Sequence, residues 1–140
     1  MFIRRIAVTV LLCVVSAACS TSSEKLTKEN QDAASWIASA RIVAKSYGDG
    51  AIPKVYAHDA LASFNKQLQA TAKRVQSLSE PRALQTAVAL QRAQQLITQI
   101  DASIEHDDQL SLAQFETQLD NEQKQLANLA NPQSEQTRQP

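Results

Sequence analysis

Four stretches of this chain place an apolar residue at every third or fourth position, and short polar breaks separate them at similar intervals. In the second stretch Ala57, Leu61, Phe64, Leu68, Thr71, Val75 and Leu78 alternate spacings of four and three. The fourth repeats the pattern with Leu112, Phe115, Leu119, Glu122, Leu126 and Leu129, and the third with Leu90, Ala93, Ile97, Ile100 and Ile104. The first is softer, through Ala33, Trp36, Ala40, Val43 and Tyr47. Such spacing keeps one face of a helix turned toward a common axis, so the chain is committed to an all-α fold.

The breaks set the boundaries. Gly48-Asp49-Gly50 ends the first helix, with Gly48 as its left-handed cap, and Pro53 suits the first turn of the second. Ser79-Glu80-Pro81 makes the next break, with Ser79 able to cap and Pro81 in the following first turn. His106-Asp107-Asp108 makes the third, and Ser111 with Gln114 reads as a capping box. Asn131-Pro132 closes the last helix. Helices are predicted over residues 27–47, 53–78, 81–105 and 112–130. Short connections make successive helices antiparallel neighbours, an up-down-up-down four-helix bundle over residues 29–131. Counting outward from each turn puts Trp36, Phe64, Ile97 and Leu119 in one core layer and Ala40, Leu61, Ile100 and Phe115 in the next.

The chain begins differently. Arg4-Arg5 precede an apolar run from Ile6 to Ala18, which is shorter than the roughly 20 residues a membrane-spanning helix needs. The run ends in Ser16-Ala17-Ala18-Cys19. This opening resembles bacterial lipoprotein precursors, and the resemblance implies a signal peptide over residues 1–18 and lipid on Cys19. Ser16 stands where that class favours Leu, and Ser16-Ala17-Ala18 also fits an ordinary cleavage site, which would release a soluble periplasmic protein. Cys13 lies inside the leader, so Cys19 is the one cysteine left after cleavage, and acylation would remove an unpaired thiol from an oxidising compartment. Residues 19–28, polar and small, are expected to tether the domain to the bilayer. Residues 132–140 are expected to be a disordered tail. The resemblance also implies the periplasmic face of the outer membrane, because Ser20 is not the Asp that marks inner-membrane retention in enteric-type bacteria.

Net charge is zero, but the charges are unevenly placed: bases prevail from Glu24 to Ile100 and acids from Asp101 onward. The acidic last helix is therefore expected against basic helices of the same domain. No basic patch with interleaved aromatics occurs, which argues against a nucleic-acid partner. Glu-x-x-His pairs and Cys-x-x-Cys-His are missing, and the single methionine is Met1, so no di-iron centre, haem or other cofactor is expected.

Three features can carry chemistry. Glu122 occupies a stripe position: it either opens a polar cavity for a ligand or leans to the edge and pairs with Arg92 or a nearby lysine. His58 and His106 fall near helix ends on one side of the bundle, with Asp59, Asp107 and Asp108 close in sequence. That is a weak zinc or copper set at best, or ordinary loop chemistry. Tyr47 and Tyr56, with Ile52, His58 and Lys54, surround the first turn as a docking spot or as a seal on the core. With no nucleophile-base-acid set and no glycine-rich phosphate loop, the expectation is a non-enzymatic envelope lipoprotein acting as an adaptor, assembly or accessory factor through a protein partner. Pilotins, small helical lipoproteins that escort secretin subunits, are similar at the level of class in size and anchoring. The competing expectation is a periplasmic helical bundle that binds a ligand or metal.

Overall fold

A computed structural model describes residues 21–131. The signal peptide expected over residues 1–18, Cys19 and the tail expected over residues 132–140 lie outside the described residues. Among the described residues there are four helices and no strand: α1 (Ser22–Gly48), α2 (Lys54–Gln76), α3 (Ala83–Glu105) and α4 (Gln109–Ala130). Each packs on its chain neighbours, and α4 closes the bundle against α1. Across the diagonals the packing is unequal. α1 meets α3, whereas no Cα pair of α2 and α4 comes within 8 Å. Both helices carry small, fully buried residues, Ala33, Ala40 and Ala44 on α1 and Ala89 and Ala93 on α3. Small side chains let backbones approach.

The third stripe packs as expected, with Leu90, Ala93, Ile97, Ile100 and Ile104 all buried. In α2 and α4 the centre is held by Ala57, Leu61, Leu68 and Val75 and by Leu112, Leu119 and Leu126, while Phe64, Leu78, Phe115 and Leu129 are half-buried flanks. The stripe of α1 needs correction. Its buried line is Leu26, Asn30, Ala33, Ile37, Ala40, Val43 and Ala44, so Ala33, Ala40 and Val43 are buried as read while Ile37 takes the centre that the sequence gives to Trp36. Trp36 does meet Phe64, with ring centroids 6.1 Å apart, but the pair sits half-buried at the α1–α2 seam. An indole is too large to face the narrow α1–α3 diagonal. Asn30 is fully buried with neither carboxamide atom partnered, a polar interruption of the kind that fixes register in helical cores.

The helix ends also differ from the sequence reading. α1 begins at Ser22, not at 27. Thr21 Oγ1 accepts the Glu24 N–H at 3.3 Å while Glu24 Oε2 accepts the Thr21 N–H at 3.0 Å, a closed capping box. Residues 22–28 are therefore the first turns of a bundle helix, anchored by the buried Leu26, and not a linker. At the other end, Gly48 stays helical and Gly50, with φ 70°, takes the left-handed position. Pro53 occupies the N-cap of α2. Ser79 caps nothing, since α3 starts at Ala83 after Arg82. Asp108, rather than Ser111, caps α4 by accepting the Ser111 N–H at 3.1 Å. A carboxylate is the stronger acceptor there and also suits the positive end of the helix.

The uneven charge resolves partly within the bundle. Arg41 of α1 pairs with Asp120 of α4 at 2.5 Å and donates to Gln123 at 2.9 Å, and Arg92 of α3 faces Glu122. Arg82 stitches one bundle end together, donating to the Leu129 carbonyl and to Ser23 Oγ, both at 3.1 Å.

Candidate functional site

Glu122 lies where its stripe position implies, between Leu119 and Leu126 on the face of α4 that turns toward α3. Its side chain is only 14% exposed. Oε1 stands 4.0 Å from Arg92 Nη1, at the limit of an ion pair, and Oε2 is buried without a hydrogen-bond partner. The two readings of this residue therefore coexist: it pairs loosely with Arg92 and also lines a recess. Burial pushes its carboxyl above the ordinary range, and Arg92 opposes that rise. The recess between α3 and α4 measures about 340 Å³, with Leu96 at its wall and the carboxamides of Gln95, Gln99, Gln118 and Asn121 around Glu122 and Arg92. An acid, a guanidinium and four amides in one groove can satisfy a small ligand that offers hydrogen-bond donors.

His58 is bound rather than free. From α2 it reaches α3, with Nδ1 2.5 Å from Asp101 and Nε2 3.0 Å from Glu105. Hydrogen bonding to Asp101 is the main cause that raises its pKa; partial burial opposes this, and Glu105 adds to the rise. With both ring nitrogens facing carboxylates, His58 has no free lone pair for a metal or for proton abstraction when it is protonated. His106 is the exposed C-cap of α3 and does not join it. Among the described residues, no group of three or more His, Cys, Asp or Glu side chains is placed to hold a metal ion.

The two tyrosines part company. Tyr47 donates its hydroxyl to Asp107 at 2.5 Å and lies 3.4 Å from the Ile104 carbonyl. Lys54 joins them, donating to Asp107 at 3.1 Å and to the Glu105 carbonyl at 3.0 Å. The Tyr47 and Lys54 hydrogen bonds hold Asp107 below the usual carboxylate range, and the residue sits in the left-handed region with φ 54°. Tyr47 is thus a clasp between the first and third turns. Tyr56 is 57% exposed and Val55 beside it 72% exposed, which leaves them as free surface.

Asp101 and Glu105 escape a reading of the sequence that looks for partners nearby in the chain. The count that sets Phe64 near Ile97 also sets His58 near residue 103, with Asp101 and Glu105 on either side, so register was the available signal. Comparison of the chain with protein-family models, curated proteins and solved structures finds no match. Among the described residues no helix is long and apolar enough to cross a membrane.

Proposed function

We propose that this chain is a non-enzymatic envelope lipoprotein, moored by lipid on Cys19 at the periplasmic face of the outer membrane. In this reading it serves as an adaptor, assembly or accessory factor that grips a protein partner. The observation that carries the reading is the polarity of the bundle. The N-terminus of α1, three residues beyond Cys19, marks one end. At the opposite end, where α2 and α4 begin, Val55, Tyr56 and Leu110 are 72%, 57% and 87% exposed. Large apolar side chains held in water on ordered helices favour a protein contact, and tyrosine is among the residues that most often anchor one. A photo-crosslinking amino acid at position 56 is expected to trap one discrete envelope protein. The same label at Gln91, on the exposed middle of α3, is expected to trap none. Equal, diffuse labelling from both positions would remove the docking role.

A second reading has its own observation. The unpartnered Oε2 of Glu122 favours a small donor-bearing ligand, such as an amine, in the α3–α4 groove. A ligand that binds only the folded chain raises the melting temperature in step with RT ln(1 + [L]/Kd). Screening simple amines against the mature chain and its Glu122→Gln variant tests it: a shift seen in the first and lost in the second supports the groove, and no shift in either removes it.

A further inference from the structure

We propose that the groove between the first turns of α1 and the last turn of α2 holds the phosphate headgroup of an anionic phospholipid, so that the bundle stands end-on against the membrane. The proposal rests on the reading that Cys19 is lipidated, and its first support is chain length. The capping box closes on Thr21, leaving two residue steps from Cys19, and an extended chain spans at most about 7 Å over two residues. A lipid on Cys19 therefore brings this end of the bundle to the headgroups.

The second support is what that end displays. A groove of about 610 Å³ opens there, lined by Lys25 and Lys28 of α1, by Arg74 near the end of α2, and by Ser77 and the half-buried Leu78. Two acids share it, and both are engaged. Glu24 closes the capping box, and Glu29 accepts from Arg74 Nε at 2.8 and 2.9 Å. Thr71 Oγ1 holds the Arg74 Nη2 at 3.0 Å, so the guanidinium is fixed in place. Lys25 and Lys28 are exposed and, among the described residues, their ammonium groups have neither an ion pair nor a hydrogen bond. Lys66 and Lys73 on α2 are the other two lysines of this kind, whereas Lys45, Lys54 and Lys124 each face an aspartate. All the lysines without a counter-charge thus lie on α1 and α2, three of them in the turns nearest the anchor. Leu84, 74% exposed in the first turn of α3, lies at the same end and can enter the headgroup boundary.

Cations at an anionic surface add to one another, at about fivefold in affinity per lysine. The acylated full-length protein, with a polarity-sensitive fluorophore on Ser77→Cys, is placed in vesicles of phosphatidylcholine with and without phosphatidylglycerol. Position 77 is expected to move into the headgroup layer only with phosphatidylglycerol and to return to water with Lys25→Glu/Lys28→Glu or high salt. A label on Ala113→Cys is expected to stay in water throughout. A label at 77 that is as wet as one at 113 on phosphatidylglycerol vesicles would overturn the proposal. The mature chain carrying Cys19→Ser separates the anchor from the groove. It is expected to sediment weakly with phosphatidylglycerol vesicles, and about tenfold or more less with both lysines reversed. Equal sedimentation of the two chains sinks the headgroup site whatever the lipid on Cys19, while an unmodified thiol in the natural protein sinks the anchor alone.

Discussion

Two glycines in one turn have opposite roles. Gly50, at φ 70°, meets nothing within 4 Å where a Cβ would stand, so an added methyl would not clash but the backbone would resist it. Gly50→Ala is expected to lower stability by about 1–2 kcal/mol. Gly48 is helical, and its missing Cβ would meet only the flexible Gln109 Oε1 at 3.4 Å and Leu112 Cδ2 at 3.6 Å. Gly48→Ala is therefore expected to be neutral or stabilising by up to about 0.5 kcal/mol, and denaturant melts of the two variants check the contrast. Glu122 gives a test that depends on pH. Burial raises its folded pKa, so the folded state favours the protonated acid, and stability present below the unfolded value is lost as pH rises through the folded one. Glu122→Gln is accordingly expected to be more stable than the natural chain by about 1 kcal/mol near neutral pH, with the gap closing near about pH 4. A constant gap, or none at neutral pH, would mean that the carboxylate is well solvated.

At the scale of elements, the link between α2 and α3 is protonic. The two carboxylates favour imidazolium at His58, so the folded state keeps that proton to higher pH than the unfolded chain does. The contribution is whole below the imidazole's ordinary value of 6.5 and fades as pH rises through the raised one. His58→Gln should cost about 0.5–1 kcal/mol at about pH 5 and little at about pH 9, read from urea midpoints. A cost that does not change with pH would point to packing instead. How far each element could be read in advance depended on its side chains. The stripe of α3 is unbroken and aliphatic, and each of its residues is buried as read. In α1 the dominant signal, Trp36, is one position from the true centre, because between Leu26 and Val43 the buried line is made of alanines, one asparagine and Ile37, which carry little contrast. Thr21-x-x-Glu24 is a visible capping signature, but polar residues behind a cysteine expected to carry lipid also suit a linker, and only the burial of Leu26 decides between them. Glu122 was legible as a carboxylate on an apolar stripe. The partners of His58 were not, because they stand on another helix and are reached only through register.

The described residues form a four-helix bundle with two unlike ends. One end gathers unpaired lysines beside the residue expected to carry lipid; the other presents Val55, Tyr56 and Leu110 beyond the clasp of Tyr47, Lys54 and Asp107. A bundle built in this way can hold a membrane at one end and a protein at the other without moving parts, since its core is continuous from Leu26 to Leu112. The end-on placement of the bundle in this proposal depends on the chain being fixed by its first mature residue. The most direct measurement is the intact mass, with N-terminal peptide sequencing, of the protein extracted from its native envelope. The account predicts an N-terminus at Cys19 whose sulfur carries a diacylglyceryl group. A free thiol at Cys19, or a chain that starts at any other residue, would contradict it.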